Sequence, residues 1–135
     1  MLSLKYIIIP LGVAILSQFI KIIIEYKENK KISILRFIRG MGGIPSTHSA
    51  LVASVSTIIF LDYGLSPLFA VTLVFSLITI YDSMGVRYES GKQAKILNDV
   101  IGSKLNEKIG HRPIETFVGI LFGIISTILV NIIIK

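Results

Sequence analysis

The sequence contains no cysteine, which excludes disulfides, thiolate metal sites and a cysteine nucleophile. It is also poor in charge. Only 14 basic and 8 acidic side chains stand among 135 residues. Residues 6–20, 40–61, 63–81 and 116–134 hold no Asp, Glu, Lys or Arg at all. A soluble domain of this length interleaves charge with apolar residues on each amphipathic element. Here the two are separated into blocks. That separation argues against an ordinary soluble domain, a nucleic-acid binder and a disordered chain. No internal repeat and no low-complexity segment is present.

What the chain has instead is apolar length. A helix rises about 1.5 Å per residue, so crossing a hydrocarbon core of roughly 30 Å takes about 20 residues. The pattern predicts an all-α integral membrane bundle of about four transmembrane helices, at about 4–24, 46–61, 67–83 and 113–134. They form one domain over residues 1–135, with loops at 25–45, 62–66 and 84–112. The competing reading is a soluble protein with Ile-rich buried strands such as Tyr6–Ile9 or Ile132–Ile134. Those strands should be short and bounded by turn residues. Lys5 before an apolar run has the start of a signal peptide. No small-x-small site follows, and the run continues past Gln18 to Ile24, so the first helix is expected to be retained.

The basic residues give the bundle a direction. Loop 25–45 holds Lys27, Lys30, Lys31, Arg36 and Arg39, and loop 84–112 holds Arg87, Lys92, Lys95, Lys104, Lys108 and Arg112. Loop 62–66 holds none, and only Lys5 and Lys135 lie at the termini. Positively charged short loops stay cytoplasmic, so these two loops are expected inside the plasma membrane and both termini outside. The net charge of +6 then reads as a surface drawn to anionic headgroups, with no nucleic-acid partner needed. Membrane lipids are the expected partners, and a bundle this small is compatible with a homodimer. Short interfacial helices are expected in the loops, because Ile32–Arg39 and Ala94–Ile109 carry apolar and basic residues at helical spacing.

Helix ends are punctuated. Ser66-Pro67 supplies an N-cap followed by proline at the first helical position, and Arg112-Pro113 is similar, with Glu115 in the first turn. The same cytoplasmic ends collect the polar residues: Ser46, Thr47 and His48, then Asp82 and Arg87, then His111 and Glu115. His48 and His111 are the two histidines of the chain. Gly42-Gly43-Ile44-Pro45-Ser46-Thr47-His48-Ser49 can be an anion site, since a helix N-terminus offers free N–H groups and His48 a titratable ring. It can equally be a Gly-rich turn with a cap. His111 and Glu115, four residues apart, share one side of a helix start, where a carboxylate can orient an imidazole. A capping contact is the other reading. Asp82 and Arg87 can form an interfacial ion pair, or Arg87 can clamp a phosphate with its planar fork. Lys21 can snorkel to the interface, or share with Gln18 a face that looks into protein. Taken together, two histidines, a carboxylate, cations and a helix N-terminus at one membrane face suit phosphoryl transfer through a phosphohistidine.

Four ordered motifs carry a resemblance. Gly43-Ile44-Pro45-Ser46-Thr47-His48-Ser49-Ala50, Tyr81-Asp82-Ser83-Met84-Gly85-Val86-Arg87, Gly91-Lys92-Gln93-Ala94 with Leu97-Asn98, and Gly110-His111-Arg112-Pro113 with Glu115 and Gly119 resemble the divergent branch of the type-2 phosphatidic acid phosphatase superfamily. That superfamily is related to acid phosphatases and vanadium haloperoxidases. The resemblance implies a helical fold and metal-independent hydrolysis of a phosphomonoester or diphosphate without a cofactor. Pro45-Ser46-Thr47-His48 looks like its Pro-Ser-Gly-His motif, which makes His48 the leaving-group acid. His111-Arg112-Pro113-Ile114-Glu115 is similar to its His-x-x-x-Asp motif, which makes His111 the nucleophile and Glu115 its orienting carboxylate. Lys21, Arg87 and either Arg36 or Arg39 would correspond to its phosphate-binding cations, with Ser46, Thr47 and Asp82 beside them. The sequence departs from the superfamily pattern in having Thr47 for Gly, Glu115 for Asp and Arg87 as far as 24 residues before His111.

The expected function is therefore a membrane phosphatase acting on a lipid phosphate or diphosphate through a phosphohistidine at the cytoplasmic face. The alternative is a lipid-phosphate binding or translocating protein without turnover. A third reading is a structural subunit in which Gly119-x-x-x-Gly123 is a packing face. Haloperoxidase chemistry is not expected, because no full cation cage is identifiable.

Overall fold

The computed structural model describes residues 4–29, 43–107 and 109–134. Five helices follow one another among them: α1 Lys5–Asn29, α2 Thr47–Tyr63, α3 Pro67–Met84, α4 Val86–Ile101 and α5 Pro113–Ile134. No strand occurs among the described residues, so the all-helical expectation holds. Among the described residues three helical stretches are long and apolar enough to cross a membrane: Lys5–Lys27, one within Pro67–Ile101, and Pro113–Ile134. α2 has 17 residues, about 25 Å at the helical rise.

α2 is the centre of the bundle. It packs against α1, α3 and α5, and α1 also touches α5. Ile9 and Val13 of α1 meet Ala50, Ile58 and Ile59 of α2 in the apolar core, flanked by Tyr6, Val55, Phe69, Phe122 and Val130. The outward faces of α1, α3 and α5 are lined with exposed Ile, Leu, Val and Phe. That inversion is expected where lipid is the solvent, because hydrocarbon gives apolar side chains no reason to face inward.

What holds the helices together follows from the same fact. Small residues bring backbones close, and buried hydroxyls bond across the gaps. A side chain at Gly119 would stand 2.5 Å from the Ser46 carbonyl oxygen, and one at Gly123 would strike the Ala50 backbone. The Gly119-x-x-x-Gly123 face is thus used inside the chain, seating α5 on the start of α2. Ser54 shares a hydrogen bond of 2.6 Å with Thr127, and Ser56 one of 2.8 Å with Ser76, which also donates to the Val52 carbonyl at 3.0 Å.

The helix ends differ from the sequence expectation in three places. α1 continues to Asn29, so Glu25 and Lys27 ride on its last turns. In the third loop the expected pattern over 94–109 resolves into a helix that starts eight residues earlier and stops at Ile101. It stops there because Gly102 takes a left-handed conformation (φ 66°), and because Asn98 captures the returning chain. The Asn98 amide donates to the Leu105 carbonyl and to Glu107, and its carbonyl accepts from Ser103 and the Leu105 N–H. The expected interfacial helix over 32–39 lies outside the described residues.

Candidate functional site

The α2 N-terminus is set by Ser46. Its hydroxyl accepts from the Ser49 N–H at 3.4 Å and the Ser49 hydroxyl at 2.9 Å, a side-chain cap of the usual kind. Its own backbone N–H donates to the Glu115 carbonyl at 3.1 Å. Ser46 is fully buried, so its hydroxyl serves the helix rather than facing an open space. Thr47 shares a 2.8 Å hydrogen bond with Ser17 of α1. The next residue, His48, is half-buried. Proline at 45, preceded by a cis peptide bond from Ile44, leads the chain into this cap.

His111 arrives from the other side. Gly110 passes so close to Tyr88 that a side chain there would strike the Tyr88 backbone. The His111 N–H then donates to the Ser83 carbonyl at 3.0 Å. These contacts bring the His111 and His48 ring centroids to 6.2 Å from each other. The two rings are tilted by 59° to each other.

Glu115 organises the arrangement. A single oxygen, Oε2, lies 3.1 Å from His111 Nδ1 and accepts the backbone N–H groups of Arg112 at 3.2 Å and Gly43 at 3.3 Å. With Glu115 as an ionised carboxylate, which can only accept, the contact selects the tautomer with the proton on Nδ1 and the lone pair on Nε2. Glu115 also joins the two histidine segments, its carbonyl to Ser46 and its carboxylate to Gly43. Burial is the main force on His111 and holds its pKa below the ordinary value. The Glu115 hydrogen bond opposes burial, and the Lys21 and Arg87 charges add to it. The ring is therefore neutral at neutral pH, as a nucleophile or base requires. It is only 2% exposed.

The remaining expected residues divide. Lys21 is half-buried on α1, with its aliphatic chain beside Gly43 and its charge acting on both histidines. Arg87 Nε donates to Asp82 Oδ2 at 2.8 Å across the α3–α4 junction, and its charge also acts on both histidines. Asp82 acts on His48. His48, His111, Glu115, Lys21, Arg87 and Asp82 are thus gathered at one end of the bundle. Arg39, like Arg36, lies outside the described residues. Four residues that shape the site carried no site role in the sequence reading: Ser17, Ser83, Asn98 and Gly110. Ser83, Asn98 and Gly110 stood inside the quoted motifs, which was the signal for them. Ser17 and the Ser83 carbonyl depend on how helices cross, which no local spacing reports.

Comparison with known proteins identifies the family. Residues 2–126 match the Divergent PAP2 family. The chain is 36% identical over 140 aligned positions to the uncharacterized membrane protein YuiD of Bacillus subtilis (strain 168), covering 87% of this chain and 88% of that protein. No solved structure matches. A family match over nearly the whole chain, on an all-helical fold with membrane-length apolar helices, makes this a membrane protein that belongs to the Divergent PAP2 family.

Proposed function

We propose that the protein is a metal-independent phosphatase that hydrolyses a lipid phosphate or diphosphate through a phosphohistidine at the cytoplasmic face of the plasma membrane. The observation that carries the reading is the pair of histidine rings with centroids 6.2 Å apart, one of them held through Nδ1 by Glu115. In this reading His111 Nε2 attacks phosphorus, and the bond to the leaving oxygen breaks. His48, entering as the imidazolium, gives a proton to that oxygen and becomes neutral. Water then attacks the phosphohistidine, His48 takes the proton from the water, and phosphate leaves. Lys21 and Arg87 hold the equatorial oxygens, with Arg39 as a further cation, and Asp82 keeps Arg87 in place. Ser46 and Thr47 contribute by fixing the loop and helix start that carry His48. The chain crosses the membrane four times, α2 included, with both termini outside and the basic loops in the cytoplasm.

A second reading, a lipid-phosphate carrier without turnover, is favoured by one observation, the near-complete burial of His111. Phosphate release separates the two. Detergent-purified protein is offered a panel of prenyl phosphates and diphosphates, phosphatidate and phosphatidylglycerophosphate. Release is expected from the wild type and is expected to fall in His48→Ala, least for substrates with the most acidic leaving groups, since those need no proton. No release from any substrate, with headgroup binding that disappears in Arg87→Ala, would favour the carrier.

A further inference from the structure

Most polar side chains inside the apolar helices are used within the protein. Ser17 bonds Thr47, Ser54 bonds Thr127 and Ser56 bonds Ser76. Thr57, Thr72, Thr79 and Ser83 turn their hydroxyls onto carbonyls of their own helices. Two amides, Gln18 of α1 and Asn131 of α5, have no hydrogen bond among the described residues. Asn131 is buried near the opposite end of α5 from His111. Gln18 lies beside the histidine site.

Gln18 precedes Lys21 by three residues, and residues three apart are neighbours on a helix surface. Lys21 fixes where this flank looks, because its charge acts on both histidines and its aliphatic chain lies beside Gly43. Exposure separates the flank from the lipid side of α1. Ile15 is 53% and Phe19 55% exposed, whereas Ala14, Gln18 and Lys21 are half-buried. The depth is set by Ser17, which bonds Thr47 at the start of α2. Gln18 is therefore level with the start of α2, where His48 stands, and Lys21 is about 4.5 Å further along α1. Gln18 thus stands on the bilayer side of Lys21, inside the apolar span Lys5–Lys27.

An amide left facing hydrocarbon without a partner costs free energy, and this constrains the ligand. In the proposed reaction the phosphate is held at Lys21 and the histidines. The rest of the lipid runs from there toward the bilayer interior, past Gln18. A prenyl chain offers an amide nothing at that depth. A diacylglycerol phosphate offers ester carbonyls a few bonds from its phosphate, and a glutamine N–H donates to a carbonyl. We propose that Gln18 binds an ester carbonyl of the substrate, which makes that substrate a diacylglycerol phosphate rather than a prenyl phosphate. The inference rests on the phosphatase reading for the position of the phosphate.

Three lipids of matched chain length test it in one detergent: a diacyl phosphatidate, its dialkyl ether analogue, which lacks both carbonyls, and a prenyl phosphate. The wild type is expected to favour the diacyl over the dialkyl lipid by roughly fivefold in kcat/KM, mainly through KM, the worth of one hydrogen bond. Gln18→Leu is expected to erase that preference by lowering the diacyl value alone. Unchanged turnover of the dialkyl lipid shows that the variant is folded. Equal use of diacyl and dialkyl lipids by the wild type would overturn the inference and leave the phosphatase reading intact. So would an ester preference that survives in Gln18→Leu. Release from none of the three would overturn the phosphatase reading instead. The ester preference is then read from the affinities of wild type and Gln18→Leu for the diacyl and dialkyl lipids, with the same two outcomes deciding it.

Discussion

At the Tyr63 end of α2 the Asp62 carboxylate meets the Lys5 ammonium at 2.6 Å and accepts from the Tyr6 hydroxyl at 2.6 Å, with Tyr63 bonded to the same hydroxyl at 3.2 Å. At the Thr47 end, about 21 Å away along the helix between residues 48 and 62, the groups are of the same kinds but are not used up on each other. Glu115 meets a neutral imidazole and two backbone N–H groups. Lys21 has no ion-pair partner among the described residues, and Arg87 gives one nitrogen to Asp82. The first cluster is a clasp between α1 and α2 whose charges are satisfied. The second leaves a lone pair on His111, a second histidine facing it and a cation beside both. In the proposed function an arriving phosphate completes the second cluster, while the first has its charges already paired.

The comparison breaks most sharply on His111→Ala. Removing the nucleophile is expected to cut phosphate release by at least about 10³-fold, measured by inorganic phosphate in detergent, while thermal unfolding remains cooperative. Glu115→Gln keeps the shape but removes the charge that orients His111. Loss of such an orienting partner costs about 10–100-fold, read as kcat with KM little changed. The pH profile comes next. An ordinary histidine titrates near 6.5, and burial sets His111 lower in the folded protein. For a substrate whose leaving group needs no proton from His48, turnover that needs the neutral form of His111 should therefore stay level as pH falls through 6.5 and decline only below it. Stability should begin to fall as pH drops through 6.5, because the unfolded chain takes up the proton first, and should level off once the folded ring is protonated too. The smallest effect is expected at the other end. Asp62→Asn removes the clasp charge and should lower stability by about 1 kcal/mol, with turnover unchanged within about twofold. A large loss of turnover in Asp62→Asn would erase the distinction between the two ends.

Much of the site was legible because it is local. His111 and Glu115 sit four residues apart at a helix start, and Asp82 and Arg87 straddle a helix end. Charge-free stretches marked the apolar helices. The rest was not legible, for physical reasons. The Ser17–Thr47 bond and the Ser83 carbonyl under His111 arise where helices cross. Helix α4 was half-seen: its apolar period was visible, but its end is decided by Asn98 bonding to residues five to nine positions later. The Gly119-x-x-x-Gly123 spacing announced close packing but not the partner, which is the start of α2.

The central claim is that His111 becomes phosphorylated while His48 faces it. Trapping tests this most directly: protein turning over a lipid phosphate is quenched in base and its peptides are analysed by mass spectrometry. An acid-labile, base-stable phosphoryl group on His111, present in wild type and absent from His111→Ala, is the predicted result. Phosphate release by the wild type with no phosphoryl group on His111, or with undiminished release by His111→Ala, would contradict it.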